Sequence, residues 1–192
     1  MASRPAMRAP AAMCCGRPMD ESAGVNIRDF RPDDCARLAS VFHEAVHAVG
    51  SRDYGPGQVK VWSPAPVPAE QFLARISDGR SVFVAVTAND DPVDFMELEA
   101  DGHIDCFYCC PDHVGRGVGK ALYQRLETAA RAMGLSRLHV EASEAARRFF
   151  LGQGFALVTR REFERHNVMI HNYLMEKSLR SGRVAAPLGR QV

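Results

Sequence analysis

Apolar side chains recur at helical spacing over Val118, Leu122, Leu126, Ala129, Ala130 and Met133, with Arg116, Lys120, Arg125 and Arg131 falling largely between them. This predicts a helix. A glycine-rich turn precedes it, and a strand over His103–Cys110 feeds the turn. An earlier helix opens at Pro32-Asp33-Asp34, carries the stripe Leu38, Val41, Phe42, Ala45, Val46 and Val49, and stops at Gly50. Pro68-Ala69-Glu70 opens another, with Phe72, Leu73 and Ile76 apolar and Gly79 at its end. Between these two helices, Pro56, Pro64 and Pro66 suggest loop or a short broken helix. Strands are expected over Val25–Phe30, Ser81–Thr87, Val93–Glu99 and Arg137–Ala142. Ser143 can cap a helix over Glu144–Gly152, and a last hairpin runs from Phe155 to Leu179. The strand–helix–strand unit from His103 to Ala142 implies a parallel pair with a right-handed crossover.

Composition narrows the classes. A chain of 192 residues suits one domain, assigned to 25–179, and the tails 1–24 and 180–192 lack periodicity and read as disordered. Residues 1–19 are basic, but Ser is scarce and no apolar signal core is present, and translation from Met19 is an alternative start. Lys and Arg total 24 against 23 Asp and Glu, so there is no electrostatic case for nucleic acid or an anionic membrane as partner. No apolar run approaches the roughly 18 residues of a membrane span. The six cysteines include the neighbours Cys14-Cys15 and Cys109-Cys110, a clustering that points to reduced thiols in a cytoplasm rather than a secreted disulfide framework.

The glycines at 115, 117 and 119 require a reason, because glycine in a helix interior costs up to about 1 kcal/mol relative to Ala. Glycine allows positive φ and close approach of backbone to a ligand, and a helix N-terminus offers unpaired N–H groups to an anion. A nucleotide P-loop does not fit, since Val114 stands at its first glycine and Ala121 at its hydroxyl position. The dinucleotide pattern fails too, because its third glycine would be Lys120 or Leu122.

The run Cys109-Cys110-Pro111-Asp112-His113-Val114-Gly115-Arg116-Gly117-Val118-Gly119 resembles the acyl-CoA-binding segment of the GNAT acetyltransferase superfamily, V-x-P-x-x-[QR]-x-x-G-x-G, with Cys109 for Val and Val114 for Gln or Arg. A second stretch, Ser143-x-x-Ala146-x-x-Phe149-Phe150-x-x-x-Gly154-Phe155, resembles the family's N-x-x-A-x-x-[FY]-Y-x-x-x-G-F, with Ser143 for Asn and Phe150 for Tyr. The resemblance covers 25–179 and is greatest to bacterial small-molecule enzymes. It implies an α/β (α+β) fold with a central, mostly antiparallel mixed sheet of about seven strands and four helices, split between its fourth and fifth strands. It also implies acetyl-CoA as cosubstrate, no metal, a small-molecule primary amine as acceptor, and room for a homodimer.

By the same resemblance, the cofactor would be held by the turn Val114, Gly115, Arg116, Gly117, Val118, Gly119 and Lys120. The edge residues Phe107 and Cys109, together with Ser143 and Phe150, would complete its site. Candidate catalytic residues are His103 and Asp105, which share a face if the strand is regular, and Glu97 on the neighbouring strand. A hairpin turned at Asp101-Gly102 would set Glu97 opposite Cys106. Glu141 is a further candidate base. Phe150 cannot give a proton, which leaves Tyr108 and Ser143 as candidate acids. It also motivates two other readings, an acyl-CoA-binding sensor with little catalysis and a peptide or protein N-acetyltransferase. The spacing His103-x-x-Cys106-x-x-Cys109-Cys110-x-x-His113 is ligand-like, but strand alternation would point its members to opposite faces. The pair His43 and His47 shares a helix face, and Trp62 could wall an acceptor pocket bounded by residues 43–76 and the last hairpin.

Overall fold

Strand β2 (Ser81–Val86) is a run of apolar residues buried on both faces, as expected of a strand with helices above and below it. The computed structural model describes residues 24–179. Apart from Gly24, the tails 1–24 and 180–192 and the pair Cys14-Cys15 lie outside the described residues.

β1 (Asn26–Asp29), β2, β3 (Pro92–Leu98) and β4 (Phe107–Cys109) form one antiparallel sheet in that order. β5 (Arg137–Ala142), β7 (Val168–Ser178) and β6 (Ala156–Arg165) form a second, also antiparallel. Helices α1 (Cys35–Ala48) and α3 (Ala69–Ile76) cover one face of the first sheet, where Leu38, Val41 and Phe72 meet Val84 and Phe95. On the other face, α4 (Val118–Ala132) buries Leu122, Leu126 and Ala130 against Phe83 and Met96, and against Leu138 and Met175 of the second sheet. One helix therefore bridges both sheets. Truncating Leu122 or Leu126, both fully buried, to Ala would cost about 2–5 kcal/mol. α5 (Glu144–Gly152) follows β5 directly, and the β6–β7 hairpin turns at His166-Asn167, both at positive φ. Among the described residues, no helix is long and apolar enough to cross a membrane.

Three expectations change. There are five helices rather than four, because Pro56 starts α2 (Pro56–Trp62) at a position where a missing N–H costs nothing. The strand expected over His103–Cys110 contracts to β4, although Met96 pairs with Phe107 and the Glu97 N–H reaches the Cys106 carbonyl, the register expected from the Asp101-Gly102 turn. The parallel pair reduces to a single bridge, His103 to His139. There the Ile104 N–H donates to the His139 carbonyl at 2.8 Å, and the His139 N–H to the Gly102 carbonyl at 3.0 Å. Gly102 lies at φ +93°, and a Cβ on it would sit 2.3 Å from the Arg137 carbonyl oxygen, so only glycine allows the sheets to meet here. Past this point they diverge, and β4 is left as an edge facing β5 across a split.

Candidate active site

The glycine turn serves two geometric needs. Gly115 and Gly117 lie at φ +82° and +84°, a region that side chains strain. Gly119 is in the first helical turn, where a Cβ would come 2.8 Å from the Phe107 ring, so its absence lets the helix start settle onto β4. Gly117 caps α4 without a side chain, and the Ala121 N–H is bonded back to the Gly117 carbonyl at 3.2 Å. The N–H groups of Val118, Gly119 and Lys120 precede that first helical bond, leaving a row of donors at the positive end of the helix. A Cβ at Gly115 or Gly117 would meet open space, as a cradle for a ligand requires.

This turn lines a cavity of about 400 Å³. Of the expected cofactor residues, Phe107, Cys109, Val114, Gly115, Gly117, Gly119, Lys120 and Ser143 line it. Arg116 is exposed outside it, while Val118 and Phe150 are buried in the core beneath. Phe149, not Phe150, contributes the ring to the wall. Ser143 caps α5, its hydroxyl accepting from the Ala146 N–H at 3.2 Å. Tyr54, which the sequence did not signal, fastens this wall: its hydroxyl accepts from the Glu144 N–H and donates to the His171 carbonyl. Burial pushes the Tyr54 hydroxyl up to about 12, so it stays a neutral strut.

The backbone of β4 has one free side. Glu97 bonds to the Cys106 carbonyl and the Cys110 N–H bonds to the Val93 carbonyl, so the even-numbered residues face β3. Alternation then turns the N–H and C=O groups of Phe107 and Cys109 toward the split.

A second cavity, of about 420 Å³, lies on the α1 and α3 side. Its walls come from Phe42, Trp62, Val67, Phe72 and Arg75 on one side and from Phe163, Arg165, Ile170 and Asn172 of the last hairpin on the other. This is where the sequence set an acceptor pocket. Trp62 and Tyr108 line both cavities, so the two adjoin at these side chains. Burial holds the Tyr108 hydroxyl protonated well above the usual phenol range, with Trp62 hydrogen-bonded to it.

The structure separates the three candidate catalytic residues. Glu97 is fully buried and gripped by Arg75 at 2.5 and 2.8 Å and by Arg80 at 2.7 Å. Asp105 shares these arginines, through one oxygen 2.9 Å from Arg75 and 2.5 Å from Arg80, and lines the second cavity. His103 turns elsewhere, to Glu99 at 3.2 Å and Glu141 at 2.6 Å, so the expected common face with Asp105 is lost where the chain leaves strand geometry. Burial opposes charge on His103, but its bonds to the two carboxylates outweigh that, and its pKa is raised. His103 is thus tied between two carboxylates, an arrangement that favours its charged form. Glu141 lines the second cavity and also accepts from Arg161 at 2.8 Å.

Sequence reasoning missed one further carboxylate. Asp94, fully buried, accepts from the Cys109 thiol at 2.8 Å and from the Cys110 N–H at 3.0 Å, and burial raises its pKa to about 6. The ligand-like Cys and His residues do not converge: Cys109 is held by Asp94, Cys110 lies beside Arg37 and Glu44, and His103 is held by its carboxylates. His43 and His47 both bond to Ser63. Among the described residues, close clusters of potential ligands occur at Glu97, Asp105 and Cys106 and at Glu99, His103 and Asp105, and in both the carboxylates are already matched by Arg75 or Arg80.

A split sheet with a glycine-cradled helix start at the split defines an acyltransferase architecture. The family model described as the acetyltransferase (GNAT) domain matches residues 51–177, and the chain belongs to that family. It is 29% identical to an uncharacterized N-acetyltransferase, YafP, of Escherichia coli K12, over 79% of this chain and 94% of that protein. It is 28% identical to the peptidyl-lysine N-acetyltransferase YjaB of Salmonella typhimurium LT2, over 73% of this chain and 89% of that protein. A GCN5-related N-acetyltransferase structure from Rhodopseudomonas palustris superposes with a TM-score of 0.74 at 33% identity, covering 85% of this chain and all of that one. The protein is thus an N-acetyltransferase of the GNAT family.

Proposed function

We propose that the chain transfers acetyl from acetyl-CoA to the primary amine of a small molecule, by direct attack of the neutral amine on the thioester. The observation that carries this reading is the pair of cavities adjoining at Tyr108 and Trp62, one floored by the glycine cradle and the other walled by aromatic rings together with the carboxylates of Asp105 and Glu141. Acetyl-CoA fits the first: the unpaired amides of Val118, Gly119 and Lys120 suit its diphosphate, and the open edge of Phe107 and Cys109 suits an extended, amide-bearing arm. Solved structures of the same fold include a phosphinothricin acetyltransferase from Sinorhizobium meliloti in complex with acetyl-CoA, at 18% identity and a TM-score of 0.66 over 85% of this chain and 93% of that one.

When bound, acetyl-CoA supplies an activated acetyl thioester. The chain's residues then divide the remaining work. Glu141 takes a proton from the acceptor ammonium, directly or through one water, with His103 and Arg161 holding the carboxylate in place. A backbone N–H on the free edge of β4 faces the oxyanion that develops as the amine adds. Tyr108, protonated and set between the cavities, gives its proton to the departing thiolate. Asp105 flanks the ammonium as a second carboxylate, and Glu97 holds Arg75 and Arg80 in position. The experiment is an acetyl-transfer assay over amino acids, polyamines, arylalkylamines and lysine peptides, read by CoA release and product mass. Release of one CoA per acetylated small amine supports the reading. Tight acetyl-CoA binding with no transfer to any amine would support a sensor instead, and transfer confined to lysine peptides would support a protein acetyltransferase.

A further inference from the structure

Ser63, the residue that ends α2, is 1% exposed, and each of its polar groups is engaged. Its N–H donates to the Val59 carbonyl at 3.0 Å. Nε2–H of His47 donates to its carbonyl at 2.8 Å, and Nδ1 of His43 lies 2.8 Å from its hydroxyl. The two histidines are four residues apart on α1, with ring centroids 4.2 Å apart, so one helix face grips one residue. Such a grip is needed. Of the seven residues of α2, only Val59 is buried, and so short a helix is not stable by itself. Nor can the chain beyond Ser63 anchor it through backbone donors at Pro64, Pro66 and Pro68, which have no N–H.

The grip falls next to Trp62, which lines both cavities where they adjoin. Tyr54 braces the indole edge-on with centroids 5.3 Å apart, and Tyr54 is itself tied to the Glu144 N–H and the His171 carbonyl. An indole can donate a hydrogen bond but not accept one, so the bond from Trp62 uses a lone pair of the Tyr108 oxygen and leaves the Tyr108 proton to be given elsewhere. Resting on the acetyltransferase reading above, we propose that His43 and His47 are positioning residues: by clasping Ser63 they hold Trp62 at the junction of the cavities, and Trp62 in turn aims the Tyr108 proton at the departing thiolate. Neither histidine lines either cavity, so their effect passes through Ser63 and Trp62.

The test uses the full chain, in which Trp62 is the single tryptophan and so reports its own position. Acrylamide quenching of its emission reads the clasp. The turnover number is read with acetyl-CoA and whichever of spermidine, L-phenylalanine, 2-phenylethylamine and a lysine peptide reacts fastest. Replacing both histidines, His43→Leu with His47→Leu, should raise the quenching constant about twofold or more and lower kcat about 10- to 100-fold, with acetyl-CoA affinity by calorimetry within about threefold of wild type. His47→Gln alone keeps an N–H for the Ser63 carbonyl and should stay within about threefold of wild type in both readings. If the double variant does not fold, Ser63→Ala, which removes the hydroxyl alone, takes its place and should raise quenching measurably and lower kcat about threefold or more. Unchanged quenching would overturn the clasp, and raised quenching with unaltered kcat would overturn the positioning role. Failure of the wild-type protein to acetylate any of the four probes would instead overturn the underlying acetyltransferase reading, and this role with it.

Discussion

The Cys109 thiol donates to the buried Oδ2 of Asp94 at 2.8 Å, across the paired strands β3 and β4. This one contact sets the chemistry of the thiol that lines the cavity at the glycine turn. Burial first, and then the neighbouring carboxylate, raise the thiol pKa far above its ordinary value, so Cys109 is a donor and not a thiolate.

Cys109 should therefore be dispensable for chemistry. Cys109→Val should keep turnover within about threefold, while losing about 1–3 kcal/mol of stability because Asp94 loses a donor. Iodoacetamide should modify Cys109 slowly at pH 8, and activity should fall in step with modification, since Cys109 lines the cofactor cavity. A thousandfold loss in Cys109→Val would indicate a covalent cysteine mechanism instead.

Asp94 should impose a pH dependence on stability. Its folded pKa is raised to about 6, so the folded state holds that proton more tightly than the unfolded chain does. Its contribution to stability is fully present below about pH 4 and is lost as pH rises through about 6, a change of order 3 kcal/mol. Asp94→Asn, which keeps an acceptor for the Cys110 N–H, removes this dependence. Urea unfolding of both proteins should show the variant gaining on wild type between pH 4 and 6.5. Parallel curves would contradict the assignment.

Two glutamates should respond differently to the same substitution. Glu97→Gln replaces a fully buried carboxylate paired with the mostly buried Arg80 and the partly exposed Arg75 and should cost about 3 kcal/mol, with kcat of the folded fraction within tenfold of wild type. Glu141→Gln should leave stability nearly unchanged and lower kcat/KM by about 100- to 10,000-fold, with loss of the acidic limb of the pH–rate profile. A reversal of these effects would move the base to Glu97.

The role given to Tyr108 is tested by Tyr108→Phe, which keeps the ring packed against Phe42 and Phe95. The expected outcome is a kcat reduced by about 10- to 100-fold with little change in the KM for either substrate. An unchanged kcat would leave thiolate departure to solvent.

The sequence revealed most where the physics was local. Three glycines and a helical stripe announced the turn and α4 because positive φ and 3.6-residue periodicity leave marks on neighbouring residues. The β3–β4 register followed from the Asp101-Gly102 turn for the same reason, and so did the Ser143 cap. The structure departs from that reading where distant segments decide. His103 and Asp105 part company because β4 frays as the chain crosses to β5, which alternation along one strand cannot foresee. The Asp94–Cys109 contact needs the cross-strand register as well as the depth of the sheet. α2 reads as loop or a short broken helix because the prolines of its stretch count as breakers, although Pro56 occupies the first helical turn. The second cavity draws residues from α1, α3, β4 and the last hairpin, and nothing local marks Asn172 among them.

The central claim is that the turn before α4 holds the diphosphate of acetyl-CoA, and a charge placed at Gly117 tests it most directly. Gly117 lies at φ +84° with open space where a Cβ would project. Asn and Asp tolerate that backbone better than most residues, and Gly117→Asn supplies a control with the same strain and no charge. Isothermal calorimetry with acetyl-CoA should show Gly117→Asp binding at least tenfold more weakly than Gly117→Asn, in proteins of matched melting temperature. Equal affinities for the two variants would place the cofactor elsewhere.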